Sequence, residues 1–149
     1  MNNLCIVSGY FNPLHPGHIK LFRAAREIGT LFVIINNDEQ VKIKNAIPFL
    51  DEDARKFIIE HLSCVNYTWM SIDKDESVAE TIEDIYNYWG GDDYTWYFIN
   101  GGDRVQNNIN PKEQAICEKY NINIKYIADE KVYSSSKLIE NAARTYNNR

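Results

Sequence analysis

Five short runs rich in β-branched and aromatic residues, each followed by a stretch with helical spacing, constrain this chain more than any other feature. Leu4 to Ser8, Leu31 to Ile35, Tyr67 to Ile72, Trp96 to Ile99 and Ile122 to Ile127 read as strands. Leu31 to Ile35 is apolar without a break, the composition of a strand covered on both faces. Between the strands, Ile19, Leu21, Phe22 and Ala25, then Ala54, Phe57, Ile58 and Leu62, then Val78, Ile82, Ile85 and Trp89 recur at helical spacing. Pro16 suits a first helical turn, Gly29 the end of that helix, and Asp51 the cap of a helix through Leu62. Asn110-Pro111 opens a helix to Tyr120, and Ser134 to Ser136 open the last one, while the mixed, basic stretch after Asn36 to Leu50 reads as loop.

Strands alternating with helices imply right-handed crossovers. The expected fold class is therefore α/β, a doubly wound sheet of five parallel strands with helices on both faces. With 149 residues, 44% of them hydrophobic and 25% charged, residues 1–149 are expected to form one domain. In such sheets ligands bind beyond the carboxyl ends of the strands, where the strand order reverses, which directs attention to the loops after the first and fourth strands.

Charge narrows the ligand. A net charge of -5 argues against gripping a nucleic-acid backbone, because that affinity comes from clustered cations. A small anion such as a triphosphate needs only a few oriented donors and stays open. Cys5, Cys64 and Cys117 are odd in number and show no metal or redox spacing, so reduced, mostly buried thiols are expected. No run approaches membrane-spanning length and the amino terminus has no signal pattern, so no membrane partner and a cytoplasmic location are the expectations.

His15 and His18 account for two of the three histidines and flank the start of the first helix, with Gly9-Tyr10-Phe11-Asn12 just before them. Residues three apart share a helix face, and a helix start offers unpaired N–H groups and positive partial charge. Gly17 lets a phosphate or ribose approach the backbone, and Pro16 gives up an N–H that the helix leaves unpaired anyway. A metal pair is the weaker alternative, since no nearby Cys or third His completes a site. His61, near the end of the helix that begins at Asp51, reads as a packing or surface residue.

His15-Pro16-Gly17-His18 after a strand resembles the H-x-G-H signature of the cytidylyltransferase-like nucleotidyltransferase superfamily. Asn100-Gly101-Gly102-Asp103-Arg104 resembles its Gly-Asp segment, and Ser134-Ser135-Ser136-Lys137 its serine/threonine-rich phosphate motif. Within the superfamily the chain is similar to glycerol-3-phosphate cytidylyltransferases and heptose-phosphate adenylyltransferases. The Gly-Gly-Asp form leans to the latter, and Asp129-Glu130-Lys131-Val132 stand where cytidylyltransferases carry Arg-Thr-x-Gly.

The resemblance implies a Rossmann-like fold and transfer of CMP or AMP from CTP or ATP to a phosphorylated polyol or sugar, with Mg2+ on the triphosphate and pyrophosphate released. It implies His15, His18 and Lys44 as catalytic, and Gly9, Tyr10, Phe11, Asn12, Gly17, Gly101, Gly102, Asp103, Ser134, Ser135 and Ser136 as nucleotide-binding. Lys42, Arg55 and Lys137 align with positions that reach substrate or phosphate, and no residue is assigned to a resident metal. Asp103 fits either a ribose or base contact or a turn-forming Asp, and the serines either cap the last helix or bind phosphate. The expected partners are a nucleoside triphosphate and a phosphorylated small molecule.

Alternatives keep the fold and change the role: an adenylyltransferase for nicotinamide mononucleotide, phosphopantetheine or flavin mononucleotide, or a non-catalytic nucleotide sensor. Tyr86, Tyr88, Trp89, Tyr94, Trp96 and Tyr97 fit a subunit contact or a core cluster. Resemblance to the superfamily favours a homodimer.

Overall fold

The computed structural model describes residues 2–101, 108–127 and 135–148. Its strands are β1 (Asn3–Gly9), β2 (Thr30–Ile35), β3 (Tyr67–Met70), β4 (Thr95–Gly101) and β5 (Asn123–Ile127). Its helices are α1 (Pro16–Ile28), α2 (Asp38–Ile43), α3 (Glu52–Glu60), α4 (Ala79–Tyr88), α5 (Pro111–Lys119) and α6 (Ser135–Asn147). The strands form one parallel sheet in the order β3-β2-β1-β4-β5, with Val7 opposite Val33 and Ile6 opposite Phe98. This is the expected α/β arrangement, and the order reverses between β1 and β4.

Alternation of side chains along each strand divides the interior into two cores. Cys5, Val7, Leu31, Val33 and Ile35 meet Phe22 and Ala25 of α1 and Ile59 of α3. Leu4, Ile6, Phe32 and Ile34 meet Ile82 and Ile85 of α4 and Cys117 of α5 on the other face. Residues such as Phe22, Phe32 and Phe98 are fully buried, each contributing about 1.5–3 kcal/mol relative to exposure. The unbroken apolar character of β2 follows from its place inside the sheet, covered on both faces.

Helix starts are capped by short polar side chains. Asp51 accepts from Ala54 N–H at 2.8 Å, Asn110 from Lys112 N–H at 2.9 Å, and Pro16 and Pro111 each open a helix. The buried carboxylate of Asp73 caps α4 by accepting from Glu80 and Thr81 N–H at 2.9 and 3.1 Å. The helix α2 lies in a stretch read from sequence as loop; it is held by a reciprocal Asn37–Gln40 capping box, and Gln40 reaches on to the carbonyls of Asp75 and Ser77.

The thiols are free, and burial pushes Cys5 up to about 11 and Cys117 to about 12, which keeps them protonated and inert. Most of the aromatic cluster is core. Trp96 and Tyr86 are buried and Trp89 packs against them, leaving Tyr88 and Tyr94 exposed. His61 is on the surface with its Nδ1 at 2.7 Å from the Phe57 carbonyl. Among the described residues no helix is long and apolar enough to cross a membrane.

Candidate active site

β1 ends at Gly9, and the chain turns over Tyr10 to His15 before α1 begins at Pro16. The turn is shaped by Phe11, whose backbone is in the left-handed region at φ 51 and whose ring folds back over Gly9. A Cβ on Gly9 would stand 2.8 Å from the Phe11 ring, so only glycine fits beneath it. The ring is 5% exposed and meets the edges of Phe22 and His18, at centroid distances of 5.3 and 5.0 Å. Core packing thus fixes the plane of a histidine.

His15 and His18 are brought together as the spacing implied. Their rings stack at a centroid distance of 3.6 Å with 23° between planes. The backbone N–H of His15 donates to His18 Nδ1 at 3.1 Å, so neutral His18 carries its proton on Nε2. Burial, and then the charge of His15, lowers the His18 pKa to about 3. At neutral pH His18 is therefore a fixed, uncharged N–H donor at a helix start, where Pro16 has no N–H and Gly17 offers its own.

Two residues assigned to ligands by sequence have other occupations. Arg55 is 2% exposed, and its guanidinium donates to the carbonyls of Leu50, Tyr10 and Asn36 and to the Asp38 carboxylate, at 2.8 to 3.1 Å. Four of its five donors tie the loops after β1 and β2 to the start of α3, so it clamps these segments together. Asn12, 6% exposed, donates to Ile47 O at 3.0 Å and accepts from Phe49 N–H at 2.7 Å. Its amide straps the lysine-bearing segment to the histidine turn. Sequence offered no signal for either role, because the partners are backbone atoms on distant loops.

Lys44 caps the end of α2 and lies over the Tyr10 ring, 4.1 Å from its centroid. Lys42 is elsewhere, paired with Glu39 at 3.2 Å on the exposed side of α2. Gly101 ends β4, where an added Cβ would stand 2.8 Å from the Leu21 side chain of α1. Lys137 is exposed in the first turn of α6. Gly102, Asp103 and Ser134, and the side chains of Ser135 and Ser136, lie outside the described residues.

Among the described residues, two cavities flank the turn. One, of about 300 Å3, is apolar and sits on the α1 and α3 side, lined by Phe11, Pro13, Leu14, Phe49 and Ile58 with Arg55 at its wall. The other, of about 440 Å3, is polar and sits on the α5 side, lined by Tyr10, Lys44, Glu76, Asn108, Asn110 and Glu113. Glu76 and Glu113 carried no sequence signal, and Asn110 only that of a helix start. Glu113 looked like any helical surface carboxylate, yet it is buried and accepts from Val78 N–H at 3.0 Å.

A family model described as cytidylyltransferase-like matches residues 6–141, from β1 into α6. The chain belongs to the cytidylyltransferase-like family. It is 35% identical over 81 residues to an FAD synthase of Aciduliprofundum boonei, a match covering 54% of this chain and 53% of that protein. It is 26% identical over 142 residues to the bifunctional protein HldE of Trichlorobacter lovleyi, covering 93% of this chain and 26% of that one. The chain thus spans about half the length of the first and about a quarter of the second. A lipopolysaccharide core biosynthesis protein from Thermoplasma volcanium shares the fold, with a TM-score of 0.64 at 20% identity over 90% of this chain and 100% of that one.

Membership in the cytidylyltransferase-like family gives the histidine pair and the β1–β4 crevice a common setting. Among the described residues no group of three or more His, Cys, Asp or Glu gathers to hold a metal.

Proposed function

We propose that this chain transfers CMP or AMP from CTP or ATP to a phosphorylated polyol or sugar of the glycerol-phosphate or heptose-phosphate type, releasing pyrophosphate. The observation that carries the reading is the stacked histidine pair at the start of α1, at the edge of the crevice where the sheet order reverses.

An oxygen of the acceptor's phosphate attacks the α-phosphorus; the new P–O bond forms as the bond to the β-phosphate bridging oxygen breaks, and pyrophosphate leaves with that electron pair. No covalent enzyme intermediate is needed. The chain's part is positioning and donation to charge that develops on the transferred phosphoryl oxygens. His18 donates through Nε2–H, held in register by the bond from His15 N–H to its Nδ1. Because it is uncharged, it gives a proton to a hydrogen bond without losing one to bulk water near neutral pH. His15, Gly17 and the start of α1 complete the anion site, and Lys44 supplies a cation from the second loop. Gly101, Gly102 and Asp103 are proposed to take the nucleoside, and Ser134, Ser135, Ser136 and Lys137 a phosphate. Mg2+ bound to the triphosphate supplies charge neutralisation on the leaving group.

Similarity to an FAD synthase supports a second reading, in which flavin mononucleotide is the acceptor and AMP the transferred group. Pyrophosphate release from purified protein, tested with each of the four triphosphates against glycerol phosphate, heptose phosphates and flavin mononucleotide, separates the two. Binding of nucleotide without any release would leave a sensor and sink both. A homodimer in the cytoplasm completes the proposal; a monomer mass by sedimentation equilibrium removes the first part.

A further inference from the structure

The helix α2 that delivers Lys44 has six residues, too few to hold a direction by its own hydrogen bonds. Its direction comes from the side chains that anchor it. Gln40 is 0% exposed, and its amide uses every position it has. Its Oε1 accepts from Asn36 Nδ2 and Asn37 N–H, each at 3.0 Å, and its Nε2 donates to the carbonyls of Asp75 and Ser77 at 2.8 and 2.9 Å. A buried glutamine costs more conformational entropy to order than a leucine. What it adds is register, because any rotation or sliding of the helix breaks several bonds at once and strands buried polar groups. Val41, the other fully buried side chain of α2, holds the helix down without fixing its rotation, since apolar contact has no direction. Asp38, bonded to Arg55 and through its N–H to Glu52, anchors only the first residue of the helix.

Both ends of the Gln40 amide lead to the polar cavity. Lys44 is one helical turn beyond Gln40 on the same face, and its N–H donates back to the Gln40 carbonyl at 3.3 Å. The two carbonyls gripped by Nε2 flank Glu76, and Glu76 and Lys44 line the same cavity with Tyr10, Ile109 and Pro111. The gripped loop is stiff, since Ser77 N–H and Oγ both donate to the Asp75 carboxylate, at 2.9 and 2.7 Å. Asn37 adds a second tie, its Nδ2 donating to the carbonyls of Ser71 and Asp73 at 3.1 and 3.0 Å.

Resting on the nucleotidyl-transfer reading above, we propose that Gln40, with Asn37 as its reciprocal cap, is the positioning residue that fixes where the Lys44 ammonium stands. Gln40 is sealed from any ligand and acts only through the helix it anchors. The ammonium is set over the Tyr10 ring, 4.1 Å from its centroid, and Tyr10 is itself held at its carbonyl by Arg55. A misplacement of about 1 Å at a reacting site is enough to cost a hundredfold in rate, so a loosened α2 lowers turnover although no group that meets substrate has changed.

The test is a double-mutant cycle on pyrophosphate release, in which Gln40→Met, Lys44→Ala and the pair are compared with wild type, each folded by circular dichroism. Methionine keeps the length and burial of Gln40 and removes its amide bonds. Gln40→Met is expected to cut kcat/KM for the triphosphate about tenfold or more by itself, and less than about twofold once Lys44 is alanine. A residue that only stabilises the fold gives the same loss in both backgrounds. That result overturns the proposal, as does unchanged kcat/KM in a folded Gln40→Met protein. Where Lys44→Ala turns over too slowly to follow, the same cycle is read on the dissociation constants of ATP and CTP with Mg2+. If Gln40→Met does not fold, Asn37→Ser takes its place, since serine keeps an oxygen for Gln40 N–H and gives up the ties to Ser71 and Asp73. An equal loss with and without Lys44, or no loss, then overturns the proposal. Wild-type kcat/KM in Lys44→Ala leaves Gln40 nothing to position and overturns the proposal while nucleotidyl transfer stands. Silence of the wild-type protein with every triphosphate and acceptor overturns nucleotidyl transfer itself, and this proposal with it.

Discussion

Tyr10 and Phe11 are neighbours in sequence and serve opposite sides of the molecule. On the Phe11 side the turn is dry and tied down: a buried ring over Gly9, the Asn12 strap and the Arg55 clamp with its four acceptors. On the Tyr10 side it is open and charged, with an exposed lysine over the ring and carboxylates across the cavity. The difference teaches that the lysine-bearing loop and the histidine turn are not independently placed. One side supplies the rigidity that lets the other offer preorganised donors without rearranging during the reaction.

The sharpest way to break this comparison is Arg55→Ala. As a clamp, its loss strands the Asp38 carboxylate and three carbonyls and is expected to cost about 3 kcal/mol of stability by urea denaturation. Lysine should recover little of it, since one ammonium cannot serve that fork. An Arg55→Ala protein of wild-type stability with a raised KM for phosphate substrates would instead make Arg55 a ligand. Next in size, His18→Ala is expected to cut kcat on the order of 100-fold with the fold intact by circular dichroism; near-normal turnover sinks the donor role. Asn12→Ala should destabilise by about 1–2 kcal/mol and, by loosening the strap, raise the triphosphate KM as well. A change in stability alone would show that the strap does not position Lys44.

A further effect is a pH dependence, absent at neutral pH and growing as the solution is acidified. His18 binds its proton in the native state only near pH 3, whereas the unfolded chain takes one up near pH 6.5. Above that value neither state is charged and the group is silent. As pH falls from 6.5 towards 3, only the unfolded state gains the proton, so stability is lost at about 1 kcal/mol per pH unit. Denaturant midpoints of wild type and His18→Gln between pH 7 and 4 should converge as the pH drops. Parallel curves would mean that His18 titrates normally.

How far these features were legible follows from their range in sequence. The five strands and the histidine pair were readable because each is a local pattern, a run of apolar residues or two side chains on one helix face. The helix α2 has only six residues, too few for apolar periodicity to register, although the Asn37-x-x-Gln40 box was there to be read. Helix α3 stops at Glu60 rather than Leu62, since the chain turns at His61 before Val65 is buried. Arg55 was found as a position worth attention, but its bonds to Asp38 and three carbonyls had no local signal, because they depend on loops that meet only in three dimensions. Glu113 had no signal at all, since burial of a helical carboxylate is decided by what packs against it.

The single peptide bond between Tyr10 and Phe11 also bears on ancestry. Consecutive side chains on opposite sides let substitutions on the open side accumulate without disturbing the closed one. Exposed residues such as Glu76 and Asn108 can then change without disturbing the packed turn, while Gly9, Phe11, Asn12 and Arg55 depend on one another. That one bond separates the heritable chassis of the protein from the part on which new substrates can be acquired.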